Sequence, residues 1–111
     1  MVYTQYPMGY TMPVYEVRRS EPFHAWFLNL ADPMARARIA ARIDRLAVGN
    51  PGDVRPVGSG VSELRIDYGP GYRVYYKRTQ RIVYLLLCGG TKSTQAADIR
   101  RALAMAADLK R

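Results

Sequence analysis

Apolar positions fall into two helical stripes near the start of the chain. Phe23, Trp26, Phe27 and Leu30 sit at i, i+3, i+4 and i+7, one face of a short helix. Ser20 ahead of them is a good N-cap, and Pro22 suits a first turn. Asp32 followed by Pro33 repeats that start signal, and Ile39, Ile43 and Leu46 give the second helix its core stripe. Before both, residues 13–19 read as a strand through Val14, Tyr15 and Val17. Residues 1–11 carry three Tyr, two Met and no charge, without a clear period, and read as a flexible extension of a single domain over 12–111.

The second half switches to a period of two. Leu64 and Ile66 alternate with Glu63, Arg65 and Asp67 along a strand at 61–68. After the turn Gly69-Pro70-Gly71, residues 72–78 put Val74 and Tyr76 on one face and Arg73, Tyr75 and Lys77 on the other. Thr79-Gln80 is expected to turn the chain into a third strand at 81–88. Its run Val83–Leu87 is apolar on both faces and is expected to be the most buried. Gly89-Gly90 is expected to end it. Ser93 or Thr94 then caps a last helix that can face the core with Ile99, Leu103, Ala106 and Leu109. The segment 49–60, GNPGDVRPVGSG, holds four Gly and two Pro, which excludes a helix or a central strand. At twelve residues it is long for a connection and is a candidate functional loop, with Arg55 as its cation. The order β-α-α-β-β-β-α predicts an α+β fold: a small, mostly antiparallel, four-stranded sheet with helices packed on it.

Charge narrows the function classes. Seventeen basic against nine acidic residues give +8, and fourteen of the seventeen are Arg. Such a chain favours anionic partners: nucleic acid, an acidic protein or an anionic membrane surface. Arg supplies planar donors suited to phosphate and carboxylate, although a genome rich in G and C gives the same bias. One cysteine excludes an internal disulfide and a Cys-based zinc site, and Cys88 lies in an apolar run where an inert core thiol is expected. His24 is the lone histidine, which excludes a two-histidine ribonuclease mechanism; a surface or packing role is expected for it. No apolar run nears the roughly 20 residues of a membrane span, and the N-terminus does not read as a signal peptide, so a cytoplasmic protein is expected.

Two groups of cations stand out. Arg38, Arg42 and Arg45 share one face of the second helix, read either as a solvated basic face or as a surface for RNA or an acidic partner. Arg65 and Arg73 lie on strands joined by a tight turn, and Lys92 follows the third strand beside the Gly pair. With Tyr75 on the Arg73 face, these gather guanidinium, ammonium and phenol groups on one side of the sheet. A phosphodiester could meet donors there, and a base could stack. Arg55, Tyr68, Lys77 and Gln95 are the candidate RNA contacts around them. The same alternation also describes the solvent side of a half-exposed sheet. Glu63 and Asp67 could in principle hold Mg²⁺, but Arg65 stands between them and an ion pair is the simpler account.

The stretches ARARIAARIDRLAVGNPGDVRPVGSGVSELRIDYGPGYRVYY and LLLCGGTKSTQAADIRRA resemble the RelE/HigB-like toxins of bacterial toxin–antitoxin pairs, the group often labelled addiction module killer protein. The similarity covers about residues 12 to 108, and GG-x-K-[ST]-x-Q is its most specific motif. The resemblance implies a toxin that cleaves mRNA, commonly on the translating ribosome; the scarcity of His, Cys and paired carboxylates leads to the expectation that it does so with Arg, Lys and Tyr, without a metal or other cofactor. The resemblance also implies neutralisation by a cognate antitoxin, with operator DNA bound only through the antitoxin complex. It assigns Arg65 and Arg73 to the active surface, with Lys92 and Gln95 in the Gly-Gly motif. Thr91 stands where relatives often carry an acidic residue, and the C-terminal His of some HigB relatives is absent. ParE-like members of the same superfamily instead act on DNA gyrase, and a non-catalytic RNA-binding regulator is the third possibility.

Overall fold

Ser20 and Asp32 start the first two helices as their neighbouring prolines predict. The computed structural model describes residues 15–109. The expected extension at 1–11, and the strand start at Pro13 and Val14, lie outside the described residues. Strand β1 runs Glu16–Arg19, α1 Glu21–Leu28 and α2 Pro33–Ala47. The Ser20 hydroxyl accepts from Phe23 N at 3.2 Å and donates to Leu87 O at 2.8 Å, so one side chain caps α1 and fixes it to the sheet. Asp32 accepts from Met34 N at 2.9 Å.

The class is α+β, with a five-stranded mixed sheet where four strands were expected. The additional strand is β2, Val54–Gly58, inside the Gly- and Pro-rich segment 49–60. It is followed by β3 (Val61–Ile66), β4 (Tyr72–Gln80) and β5 (Val83–Thr91), then a 3₁₀ turn (Lys92–Thr94) and α3 (Gln95–Asp108). The order across the sheet is β1-β5-β4-β3-β2, with β1 parallel to β5 and the other neighbours antiparallel. As the outermost strand β2 tolerates Pro56, since one row of its backbone groups has no neighbour to pair.

Both faces of the sheet are covered. Helices α1 and α2 pack one face through Phe23, Phe27, Ile39 and Leu46 against Leu64, Val74 and Leu86. Helix α3 packs the other, where Ala102 and Ala106 meet Val61, Tyr75, Leu87 and Cys88. The face carrying Glu63 and Tyr75 is therefore an interior surface, not the solvent side of the sheet. Leu109, expected in the core, is exposed just beyond α3. Strand β4 continues through Thr79 and Gln80, and β5 continues through both glycines. Gly89 and Gly90 do not end the strand; they let helices approach it. A Cβ on Gly89 would collide with the Trp26 ring of α1, and one on Gly90 with the Asp98 carboxylate of α3.

Candidate functional site

The register of β3 and β4 places Arg65 directly across from Arg73, and Gly90 of β5 across from Arg73 on its other side. Like charges directly opposite on a sheet repel. Glu63 resolves this. It is fully buried, with Oε1 3.5 Å from Arg65 Nε and Oε2 3.5 Å from Arg73 Nε. Its Oε2 also accepts from the Tyr75 hydroxyl at 2.8 Å and from Gln95 Nε2 at 2.9 Å. A buried carboxylate is costly unless paired and hydrogen-bonded, and these partners come from β3, β4 and α3. Among the described residues Glu63 Oε1 and Arg73 Nε have no hydrogen-bond partner, so the ion pairs are close but not well aligned. Arg73 Nη1 donates to Gly71 O at 2.9 Å. Gly71 has φ +79°, and a Cβ there would stand 3.3 Å from both Arg73 Nη1 and Lys92 Cβ. The turn glycine thus opens the space in which these two cations meet.

Arg65, Arg73 and Lys92 line one depression of about 310 Å³, together with Asp53, Ile66, Asp67 and Gly71. The three cations singled out from sequence therefore converge. Arg65 has 34% of its side chain exposed and can reach a ligand, whereas Arg73, at 8%, underlies it. Lys92 is exposed on the 3₁₀ turn, which is held by Thr91 N donating to Thr94 Oγ1 at 3.2 Å. The depression mixes donors with two carboxylates, a different environment from a plain basic patch.

Several candidates lie elsewhere. Tyr75 is fully buried, and burial together with its bond to Glu63 pushes the phenol pKa well up. It therefore braces Glu63 and cannot contact a bound substrate or lend a proton to it. Tyr68 packs with the α2 side of the sheet: its hydroxyl donates to Asp32 Oδ2 at 2.8 Å, and the Arg38 guanidinium lies 4.8 Å from its ring centre. Lys77 stands four residues along β4 from Arg73, about 13 Å by strand rise, and its Nζ donates to Ser59 O at 2.9 Å. Arg55 and Gln95 line a separate, larger cavity of about 660 Å³ between β2 and α3, walled by Val57 and Ile99, with Glu63 between it and the Arg65 depression.

The helix stripe divides. Arg38 and Arg45 are exposed and border a third depression of about 320 Å³. Arg42 lines the same depression but is partly buried, and its guanidinium is bonded to the fold. Its guanidinium donates to Pro51 O at 2.7 Å, to Asp53 O at 3.1 Å and to Arg65 O, tying α2 to β3 and to the segment before β2. Cys88 is buried as expected, and burial pushes its thiol up to about 11. Among the described residues no group of three His, Cys, Asp or Glu side chains could hold a metal ion, and no helix is long and apolar enough to cross a membrane.

Sequence reasoning found one residue that shapes this region without its burial and missed another. The expected ion pair between Glu63 and Arg65 is present, but it lies on a face that α3 covers and not on the solvent side of the sheet. Asp53 lies in the segment already marked as a candidate functional loop, where attention fell on Arg55.

No family model matches the chain, and no solved structure is significantly similar to it. The chain is 46% identical over 94 residues to a Haemophilus influenzae protein described as uncharacterized. Those residues are 85% of this chain and 95% of that protein. At that identity and coverage the two share one fold and one ancestry, and the chain belongs to the family of the Haemophilus protein.

Proposed function

We propose that the protein is the RelE/HigB-like toxin of a type II toxin–antitoxin pair, an mRNA endoribonuclease that works on the ribosome without a metal. The observation that carries this reading is the convergence of Arg65, Arg73 and Lys92 on one depression, where β3 ends, β4 begins and β5 has just ended. The motifs ELR, YRV and GG-x-K supply those same three residues. In the proposed reaction the RNA 2′-hydroxyl attacks the adjacent phosphate and leaves a 2′,3′-cyclic phosphate and a 5′-hydroxyl. Arg65 aligns the phosphoryl group and stabilises its developing charge. Arg73 supports Arg65 from below through Glu63, and Lys92 protonates the departing 5′-oxygen. Arg55 and Gln95 contact the neighbouring nucleotide in the larger cavity. An acidic segment of the antitoxin docks on Arg38 and Arg45.

The test is induced expression without the partner, with mapping of transcript 5′ ends. Growth arrest with truncated mRNA is expected, and Arg65→Ala should reduce cleavage about 100-fold or more while the melting temperature stays within a few degrees. Arg65 is the residue to change first: both arginines pair with Glu63, but Arg65 is the more exposed of the two and the one a ligand can reach. Full toxicity in folded Arg65→Ala would sink the assignment of the site. An SOS response with intact mRNA would transfer the protein to the gyrase-directed branch. No growth arrest at all would favour a non-catalytic RNA-binding regulator.

A further inference from the structure

Cleavage by a 2′-hydroxyl needs a group that accepts its proton. Arg65 and Arg73 are donors only. Tyr75 is sealed inside, Cys88 is buried on the α3 side of β5, and His24 lies on α1, which covers the opposite face of the sheet. The acceptors that border the depression are Asp53 and Asp67. Asp53 is the better placed. Its carbonyl accepts from Arg65 N at 3.0 Å and from Arg42 Nη2 at 3.1 Å, so its backbone is pinned from two elements. Its carboxylate stands 4.0 Å from Arg65 Nη1, yet 65% of the side chain is open to solvent and to a ligand. Asp67 lies past the end of β3, borders the Arg38 depression as well, and makes no ion pair with a site cation among the described residues.

We infer that Asp53 is the general base of this site, taking the 2′-hydroxyl proton of an RNA whose phosphate lies on Arg65. The inference rests on the endoribonuclease reading above. In the step, the O2′ proton passes to the Asp53 carboxylate as O2′ bonds to phosphorus. The bond from phosphorus to O5′ breaks, and O5′ takes a proton from the Lys92 ammonium. Asp53 then returns its proton to solvent and Lys92 regains one, so the site ends as it began. Arg42 is the positioning residue of this scheme, because its guanidinium holds the Asp53 and Arg65 carbonyls together.

The experiment uses the full chain, programmed ribosomes, and a short mRNA cut at a site first mapped with the wild type. A second mRNA carries sulfur in place of the 5′-oxygen at that bond, a leaving group that needs no acid. Asp53→Asn keeps the side-chain shape and the backbone bonds. Its kcat should fall about 100-fold or more with KM within threefold. Sulfur should restore Lys92→Ala and leave Asp53→Asn slow, and Asp53→Glu should recover part of the rate. Cleavage by Asp53→Asn within threefold of wild type would overturn the inference. So would a loss confined to KM, which marks Asp53 as a mere partner of Arg65, or rescue of Asp53→Asn by sulfur. Wild-type protein that leaves the mRNA intact would bring down the endoribonuclease reading itself, an outcome distinct from the others.

Discussion

Glu63 shows how one residue turns a repulsive arrangement into a usable one. Arg65 and Arg73 face each other across two strands, and a carboxylate between them lets both stay. Alternation along the strand put Glu63 and Arg65 on one face, and that is what the fold shows. What alternation does not carry is which face another element covers. Burial of Glu63 and Tyr75 depends on α3 arriving from the end of the chain, a contact more than thirty residues distant in sequence for Gln95 and Glu63. Tyr75 was legible as a neighbour of Arg73 but not as an interior group for the same reason. Its role yields a prediction. Tyr75→Phe removes a hydrogen bond to a buried carboxylate, which costs about 1.5–3 kcal/mol. Urea unfolding should show that loss with an unchanged m-value. A variant as stable as wild type would mean that Glu63 does not depend on the phenol.

Among the elements, those with a clean period were readable and those marked by glycine were not. Ser20 and Asp32 announce α1 and α2, and the apolar run at 83–87 announces β5. Strand β2 escaped because Pro56 and the four glycines of the segment 49–60 read as loop chemistry, although an edge strand asks for fewer backbone donors. The extension of β5 escaped because Gly89-Gly90 looks like punctuation. Its purpose is visible only with α1 and α3 in place, one packing Trp26 on the first glycine and the other Asp98 on the second. Gly90→Ala should therefore overpack the α3 interface and cost about 1–3 kcal/mol. A lowered melting temperature is expected, with Lys92 displaced because its turn follows two residues later. A variant that melts with wild type would show that Asp98 moves aside at no cost and that α3 is not held by this approach.

At the scale of the molecule, the net charge of +8 resolves into separate tasks. Arg42 is spent on backbone carbonyls, and Arg73 is mostly covered and offset by Glu63. Arg65 and Lys92 stay open on one depression, and Arg38 and Arg45 on another. The two depressions share Ile66 and Asp67, so the open cations border one connected track around the end of β3. Total charge alone could not distinguish that track from a diffuse positive surface. Salt can. Each phosphate neutralised on a single strand lowers log K by about 0.7 per log unit of salt. A short RNA made uncleavable by 2′-O-methyl groups should then bind with a slope near −2 or steeper when it spans the track. Arg65→Ala should flatten the slope by about 0.7, since one phosphate loses its partner. Arg42→Gln should flatten the slope less than Arg65→Ala does, because its guanidinium is already bonded to three backbone carbonyls. A slope near zero in the wild type would show that these cations do not follow a phosphate chain. An equal flattening in both variants would show that charge acts on RNA as a whole and not at Arg65.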